Sequence, residues 1–133
     1  MATARAITTS AVIASFNSPR VIGFDADLSS MDGLNTLIAF MADKPVLYLF
    51  NNAGYLDNSS LATLNPNEFD TVMNTNVKAP MFLVQKIKFA PNARIVNVGS
   101  GAAFEYYPPM LVYGMSKLAL QYMTKVFNAE LNA

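Results

Sequence analysis

The chain has 133 residues with nine basic and nine acidic side chains, and 53% of its residues are hydrophobic, so we predict one domain over residues 1–133. A neutral chain offers no basic surface to a phosphate backbone, and we expect no nucleic-acid partner. Because the sequence has no cysteine and no histidine, disulfides, thiol nucleophiles, the usual zinc sites and histidine triads are excluded, and we expect no metal site.

The first part of the chain gives mixed signals. Residues 5–16 contain β-branched residues that favour a strand and small residues that favour a helix, and both remain open. The acid-free N-terminus resembles a transit peptide in composition, but a helix followed by a strand is the simpler interpretation. No apolar run is long enough to cross a bilayer, so we expect no membrane partner and a cytoplasmic location.

Three short apolar runs predict buried strands, at residues 20–24, 46–50 and 94–101. The first is followed by DADLSS, in which Ser29 and Ser30 are good caps for a helix. Strands that are apolar throughout and alternate with helices indicate an α/β fold with a parallel sheet covered on both faces.

Two longer helices follow the second and third strands. Asn65, Pro66 and Glu68 form an N-cap, a first-turn proline and the acid of a capping box, and they start a helix that we extend over residues 65–90. The last helix is predicted from residue 112 to 131.

Ligands of open parallel sheets bind beyond the carboxyl ends of the strands. Asp27 follows the first strand and could accept a hydrogen bond from a ligand amine or hydroxyl group. NNAG follows the second strand, where Asn51 offers an amide and Ala53 and Gly54 let the backbone approach a flat ligand. Taken alone, NNAG is more often an ordinary strand-to-helix turn.

Tyr113 and Lys117 are four residues apart, so they lie on the same face of the last helix. A nearby ammonium group favours the phenolate form and makes a tyrosine a usable acid or base. The same spacing also arises when an aromatic ring packs on a lysine stem. Pro80 has no N–H to donate to the Asn76 carbonyl, so we predict a kink and a freed carbonyl that can bind an ordered water.

Four motifs together resemble the short-chain dehydrogenase/reductase family, in order and in spacing: NNAG at 51–54, NTNV around Asn76, VGS ending at Ser100, and YGMSK at 113–117. The resemblance covers residues 20–131. It implies a Rossmann-like three-layer fold with an incomplete parallel sheet of about three to four strands and flanking helices. The family's glycine-rich turn is not found among the glycines of this sequence, and we expect a domain truncated at both ends.

The resemblance also implies a role for each matched residue. Tyr113 would be the general acid or base, Ser100 would orient the substrate oxygen, and Lys117 would favour the phenolate and bind the nicotinamide ribose. Asn76 would hold a relay water to Lys117. The residues implied for binding the cofactor, which is NAD or NADP, are Asp27, Asn51, Ala53, Gly54, Tyr113 and Lys117.

The function implied is that of an NAD(P)-dependent oxidoreductase that interconverts a small-molecule carbonyl and a secondary alcohol. A homo-oligomer formed through helices 65–90 and 112–131 is implied as well. The first alternative is a non-catalytic fragment, or a dimerising or regulatory relic, of such an enzyme. The second is a simple small-molecule binding module with an apolar crevice.

Overall fold

The computed structural model describes residues 13–131 of the chain. Residues 13–15 are helical, and residues 5–12, which belong to the ambiguous N-terminal segment, lie outside the described residues. The main elements in chain order are α1 (Met31–Met41), β1 (Val46–Asn51), α2 (Pro66–Met73), α3 (Ala79–Lys86), β2 (Phe89–Asn97) and α4 (Leu111–Leu131).

Both predicted helix starts are confirmed by their capping hydrogen bonds. The Ser30 hydroxyl accepts a hydrogen bond from the Gly33 N–H at 3.1 Å and caps α1. The Asn65 side chain accepts from the Glu68 N–H at 3.0 Å, and Pro66 occupies the first turn of α2, where its missing N–H has no helical partner to lose.

Strands β1 and β2 pair in parallel, with Leu49 opposite Ile95 and Asn51 opposite Asn97. The register shifts between Val46 and Tyr48, where β2 inserts extra residues. Asn92 lies in this irregular stretch with φ at 61°, a conformation that asparagine tolerates better than most residues.

The strand predicted at residues 20–24 is wrong, because Gly23 alone of this segment makes a bridge pairing. The segment packs through side chains instead. The Phe24 ring stacks on Phe40 of α1 with ring centroids 4.2 Å apart, and Ala26 and Leu28 pack against the core. Within the segment, Phe24 packs against the helix, while Arg20 and Ile22 are exposed, so its apolar content reflects partial packing on α1 rather than a place in the sheet.

One face of the sheet carries the core. Leu49 packs against a buried cluster from α1 and α3 that comprises Leu34, Leu37, Ala79, Leu83 and Ile87. Asn97 bonds to Thr124 of α4 from the same face, because alternate residues of a strand point to the same side. Tyr48 and Phe50 point to the opposite face and are 61% and 64% exposed.

The α/β class and the incomplete parallel sheet are therefore confirmed. Within residues 13–131 the sheet has two strands, where three to four were predicted. The helix predicted over residues 65–90 ends at Lys86, and residues 89 and 90 belong to β2. Within residues 13–131, no helix combines the length and the apolar character needed to cross a membrane.

Candidate active site

Asn76 lies where the helix changes its hydrogen-bonding pattern. Residues Asn74–Lys78 form a short π-helix between α2 and α3, in which the Ala79 N–H donates to the Asn74 carbonyl. Pro80 explains the change, since it cannot supply the α-helical donor to the Asn76 carbonyl. At this proline the structure has a π-helical segment, while the predicted kink and the water on the Asn76 carbonyl stay predictions.

The Asn76 side chain is 1% exposed and holds the end of the NNAG turn. Its Oδ1 accepts a hydrogen bond from the Tyr55 N–H at 2.7 Å, and its Nδ2 donates to the Tyr55 carbonyl at 2.9 Å. The Asn76 amide thus satisfies both backbone groups of Tyr55, and it fixes the backbone directly after Gly54.

Lys117 is buried on α4, with 4% of its surface exposed. Its Nζ donates to the Val98 carbonyl at 2.8 Å, just beyond the end of β2, and lies 5.6 Å from the centroid of the Tyr113 ring. Burial lowers the pKa of Lys117, because removing an ammonium from water disfavours its charged form. The predicted pairing of Tyr113 with Lys117 is thus present in the structure.

Gly54 completes this corner of the site. A Cβ at position 54 would lie 3.5 Å from Asn76 Oδ1 and 3.7 Å from Lys117 Nζ. Because glycine has no side chain, the turn backbone lies directly beside both polar groups. The structure therefore brings together Gly54, Asn76, Tyr113 and Lys117, which come from three separate segments of the chain.

Ser100 begins a 3₁₀ turn formed by Gly101–Ala103, and its hydroxyl accepts from the Ala102 N–H at 3.2 Å. The turn packs closely on the start of α4, since a Cβ at Gly114 would lie only 2.8 Å from the Ala102 carbonyl oxygen. Ser100 thus belongs to a turn that packs against Gly114, the residue after Tyr113. Its side chain caps that turn.

Asn51 has a structural partner that the sequence did not indicate. Its Nδ2 donates to Asn97 Oδ1 at 2.7 Å, and the Asn97 amide donates to Thr124 at 2.8 Å, so the two strands and α4 are joined by side chains. Asn51, Ala53 and Asn76 also line a cavity of about 170 Å³ between the sheet and the helices.

Asp27 lies in the turn before α1. Its Oδ1 accepts from the Ser29 N–H at 2.9 Å and from the Ser29 hydroxyl at 2.7 Å. The neighbouring Leu28 contributes to the cavity lined by Asn51, so the turn reaches the same side of the sheet. The carboxylate orders the turn, which is a role that the sequence analysis did not assign to it.

Ser116, which was not among the predicted site residues, is fully buried and accepts a hydrogen bond from Asn76. A signal was available, since Ser116 occupies a helical position between Val112 and Leu120 on the buried face of α4. A polar residue on an apolar stripe needs a partner. Val98 and Tyr55 were not predicted either. They bond to Lys117 and Asn76 through backbone atoms, which every residue type supplies at these positions.

The chain matches the family model described as short chain dehydrogenase over residues 2–133, and it belongs to that family. It is 40% identical over 85 residues to the short-chain dehydrogenase/reductase FrzI of Cladobotryum sp, a match that covers 62% of this chain and 33% of the relative. It is 26% identical over 125 residues to an uncharacterized oxidoreductase of Listeria monocytogenes, covering 86% of this chain and 48% of the relative. The chain thus spans about a third to a half of the length of these relatives.

Solved structures agree with this assignment. The angucycline C-6 ketoreductase LanV with bound NADP superposes with a TM-score of 0.88 at 26% identity, covering 98% of this chain and 56% of LanV. A structure described as a putative betaketoacyl-ACP reductase gives a TM-score of 0.84 at 30% identity, covering 96% of this chain and 54% of its own. The fold of the described residues is therefore that of a Rossmann-like short-chain dehydrogenase.

Proposed function

We propose that the chain forms the proton-transfer part of an NAD(P)-dependent oxidoreductase that interconverts a carbonyl and a secondary alcohol. The observation that carries this proposal is the buried Lys117 ammonium, held by the Val98 carbonyl and 5.6 Å from the Tyr113 ring. A buried cation beside a half-buried tyrosine has little structural benefit, because desolvating the ammonium costs free energy. The arrangement has a clear chemical use in transferring a proton to or from a bound oxygen atom.

In this mechanism the Tyr113 hydroxyl donates its proton to the substrate oxygen during reduction and accepts it back during oxidation. Lys117 stabilises the phenolate that forms when the proton leaves. Ser100 lies on the turn that packs against the start of α4, and its hydroxyl orients the substrate oxygen. Asn76 holds the Gly54 turn and the relay water that returns protons to Lys117. A bound nicotinamide cofactor supplies the hydride.

The site formed by Gly54, Asn76, Tyr113 and Lys117 fits the ribose end of such a cofactor. An ammonium carries three N–H donors, of which the Val98 carbonyl accepts one, so donors remain for a ribose hydroxyl pair. Gly54 brings the turn backbone next to Asn76 and Lys117, and Asn51 and Ala53 line the cavity beside the turn. Asp27, on the turn that reaches this cavity, would contact the adenine.

The direct test is titration of the purified chain with NADH and NADPH, followed through the nucleotide fluorescence. We expect saturable binding that is at least about tenfold weaker than in a family member with a glycine-rich turn, because the amides of such a turn are the main anchor for a pyrophosphate. No binding at millimolar nucleotide, from a chain shown to be folded by circular dichroism, would refute the proposal.

The alternative is a non-catalytic fragment or a dimerising or regulatory relic of such an enzyme. It is favoured by the six glycines of the sequence, at 23, 33, 54, 99, 101 and 114, since no G-x-x-x-G-x-G pattern follows a strand. Nucleotide binding without turnover of any of a broad set of ketones and secondary alcohols would favour this alternative.

We also propose that the chain pairs with a second copy through the two long helical segments. Leu111, Met115, Leu118 and Tyr122 recur at helical spacing on α4, and each is at least 36% exposed. On the neighbouring helical segment, Phe69 and Met81 are 38% and 40% exposed. An apolar stripe of this length on a helix is typical of an interface.

Leu118→Glu is therefore expected to raise the dissociation constant of the dimer at least about tenfold, because an unpaired carboxylate would be desolvated at the centre of the stripe. Sedimentation equilibrium measures the change. Leu61→Glu is the matched control, since Leu61 is 84% exposed and lies outside both helices. Equal effects of the two substitutions, or a wild-type chain that is monomeric at micromolar concentration, would exclude this interface.

The remaining features of the proposal concern partners and location. The substrate is a small-molecule carbonyl or alcohol, in line with the apolar and polar groups that line the cavity beside the turn. A chain without cysteines gains nothing from an oxidising compartment, and we place it in the cytoplasm.

A further inference from the structure

Ser116 makes two hydrogen bonds from a fully buried position. Its side chain is 0% exposed, its hydroxyl donates to the Tyr113 carbonyl at 2.7 Å, and its oxygen accepts from Asn76 Nδ2 at 2.9 Å. A serine hydroxyl has one hydrogen to donate, and the Tyr113 carbonyl receives it. Toward Asn76 the serine can therefore act only as an acceptor.

This restriction and the Tyr55 backbone favour the same orientation of the Asn76 amide. The NH₂ group must point to Ser116, and the Oδ1 atom is then left for the Tyr55 N–H, where it is found at 2.7 Å. The second N–H of the amide reaches the Tyr55 carbonyl at 2.9 Å. In the opposite orientation, an oxygen would face two acceptors and an NH₂ group would face a donor.

The same bonds join α4 to the NNAG turn. Ser116 precedes Lys117 and lies one turn after Tyr113, while Tyr55 directly follows Gly54. The connection thus runs from the Tyr113 carbonyl through Ser116 and Asn76 to the backbone beside Gly54. Both Asn76 and Lys117 lie within contact distance of the Gly54 Cβ position, so a small shift of the turn changes the space around the ammonium.

We propose that Ser116 is a positioning residue of the candidate active site, which orients the Asn76 amide and thereby sets the Gly54 turn against Lys117. This inference rests on the proposed function for its consequence in nucleotide binding. Its structural part concerns the Asn76 amide and the Tyr55 backbone, and that part can be measured without a ligand.

Thr124 provides a control on the same helix. Its hydroxyl donates to the Leu120 carbonyl at 2.8 Å and accepts from the Asn97 amide at 2.8 Å, so its two bonds are of the same kind as those of Ser116. It differs in being exposed and in holding β2 rather than the NNAG turn. A general effect of losing a helix hydroxyl should appear in both Ser116→Ala and Thr124→Ala. A positioning effect should appear in Ser116→Ala alone.

The experiment compares Ser116→Ala, Ser116→Thr and Thr124→Ala with the wild type by NMR. In Ser116→Ala, hydrogen exchange of the Asn76 NH₂ group and of the Tyr55 amide should become about tenfold faster, because one Asn76 N–H loses its acceptor. NADPH affinity should fall about tenfold, which is the effect of one hydrogen bond between groups of this kind. Ser116→Thr, which keeps the hydroxyl, should restore the Asn76 NH₂ signals, and Thr124→Ala should leave both measurements within about twofold.

Unchanged Asn76 and Tyr55 exchange in Ser116→Ala would overturn the proposal, as would equal changes in Thr124→Ala. Faster exchange with unaltered NADPH affinity would also overturn it, because the amide would then be irrelevant to the site. A wild-type chain that binds no nucleotide refutes the proposed function, and the exchange rates alone then decide whether Ser116 orients the amide. If Ser116→Ala does not fold, the Asn76 NH₂ signals of Ser116→Thr, set against those of Thr124→Ala, decide it.

Discussion

Tyr113→Phe is expected to lower the turnover of a carbonyl substrate by about 10²- to 10⁴-fold, the usual contribution of a general acid or base. The substitution removes one oxygen and keeps the ring that lies beside the Lys117 ammonium. NADPH affinity should therefore stay within about threefold of the wild-type value. The measurement is NADPH oxidation with a panel of ketones, together with fluorescence titration of the nucleotide.

Tyr106→Phe is the matched control, since the Tyr106 side chain is 99% exposed and the chemical change is identical. It should alter neither turnover nor affinity. Turnover in Tyr113→Phe within tenfold of the wild type would exclude Tyr113 as the proton donor. Loss of nucleotide binding along with turnover would assign the phenol a binding role instead.

Local signals in the sequence predicted local structure well. The Asn65–Pro66–Glu68 combination specifies a helix start through contacts within one turn, and the observed cap at 3.0 Å is the bond that the pattern requires. The Tyr113 and Lys117 pair follows from the 3.6-residue period alone, and the structure places the ammonium beside the ring. Features of this kind depend on neighbours along the chain.

Features that depend on distant partners were predicted less well. The segment at residues 20–24 has the composition of a strand, yet only Gly23 makes a bridge pairing, and composition does not report how far such pairing extends. Asn51 was assigned to a ligand because it follows the second predicted strand in the NNAG motif, and the sequence did not indicate that Asn97, 46 positions away, accepts its hydrogen bond. The Ser116 bond to Asn76 spans 40 positions and was missed for the same reason.

The carbonyl of Val98 illustrates a different limit. It holds the Lys117 ammonium at 2.8 Å, and any residue at position 98 would supply the same oxygen atom. Residue type therefore predicted the cation and the phenol, while the atom that fixes the cation depends on where β2 ends. The sequence indicates which groups carry the chemistry, and the fold decides their distances.

Lys117→Met is expected to weaken NADPH binding about 10- to 100-fold at neutral pH, because hydrogen bonds from a charged donor contribute about 1.5–3 kcal/mol. Methionine keeps the apolar stem and removes the ammonium from a site that is 4% exposed. Lys125→Met, on the exposed side of the same helix, is the matched control and should leave the affinity within about twofold.

The pH dependence of the wild type separates the two roles of this ammonium. Burial lowers the pKa of Lys117 below its ordinary value of 10.5. Between the lowered pKa and 10.5, the folded protein has released a proton that the unfolded chain still holds, so unfolding takes up a proton. The free energy of unfolding of the wild type should therefore rise with pH across this window, relative to Lys117→Met, as the cost of burying the charge is relieved.

NADPH affinity should change in the opposite direction over the same window, since the neutral amine is a weaker donor than the ammonium. Urea unfolding and fluorescence titration at matched pH values measure the two trends, and both should be absent in Lys117→Met and retained in Lys125→Met. Affinity that stays constant while stability rises would show that Lys117 titrates without contacting the nucleotide. Affinity and stability that rise together would contradict a binding role for the charged form, because a group that binds as an ammonium cannot gain affinity by losing its proton.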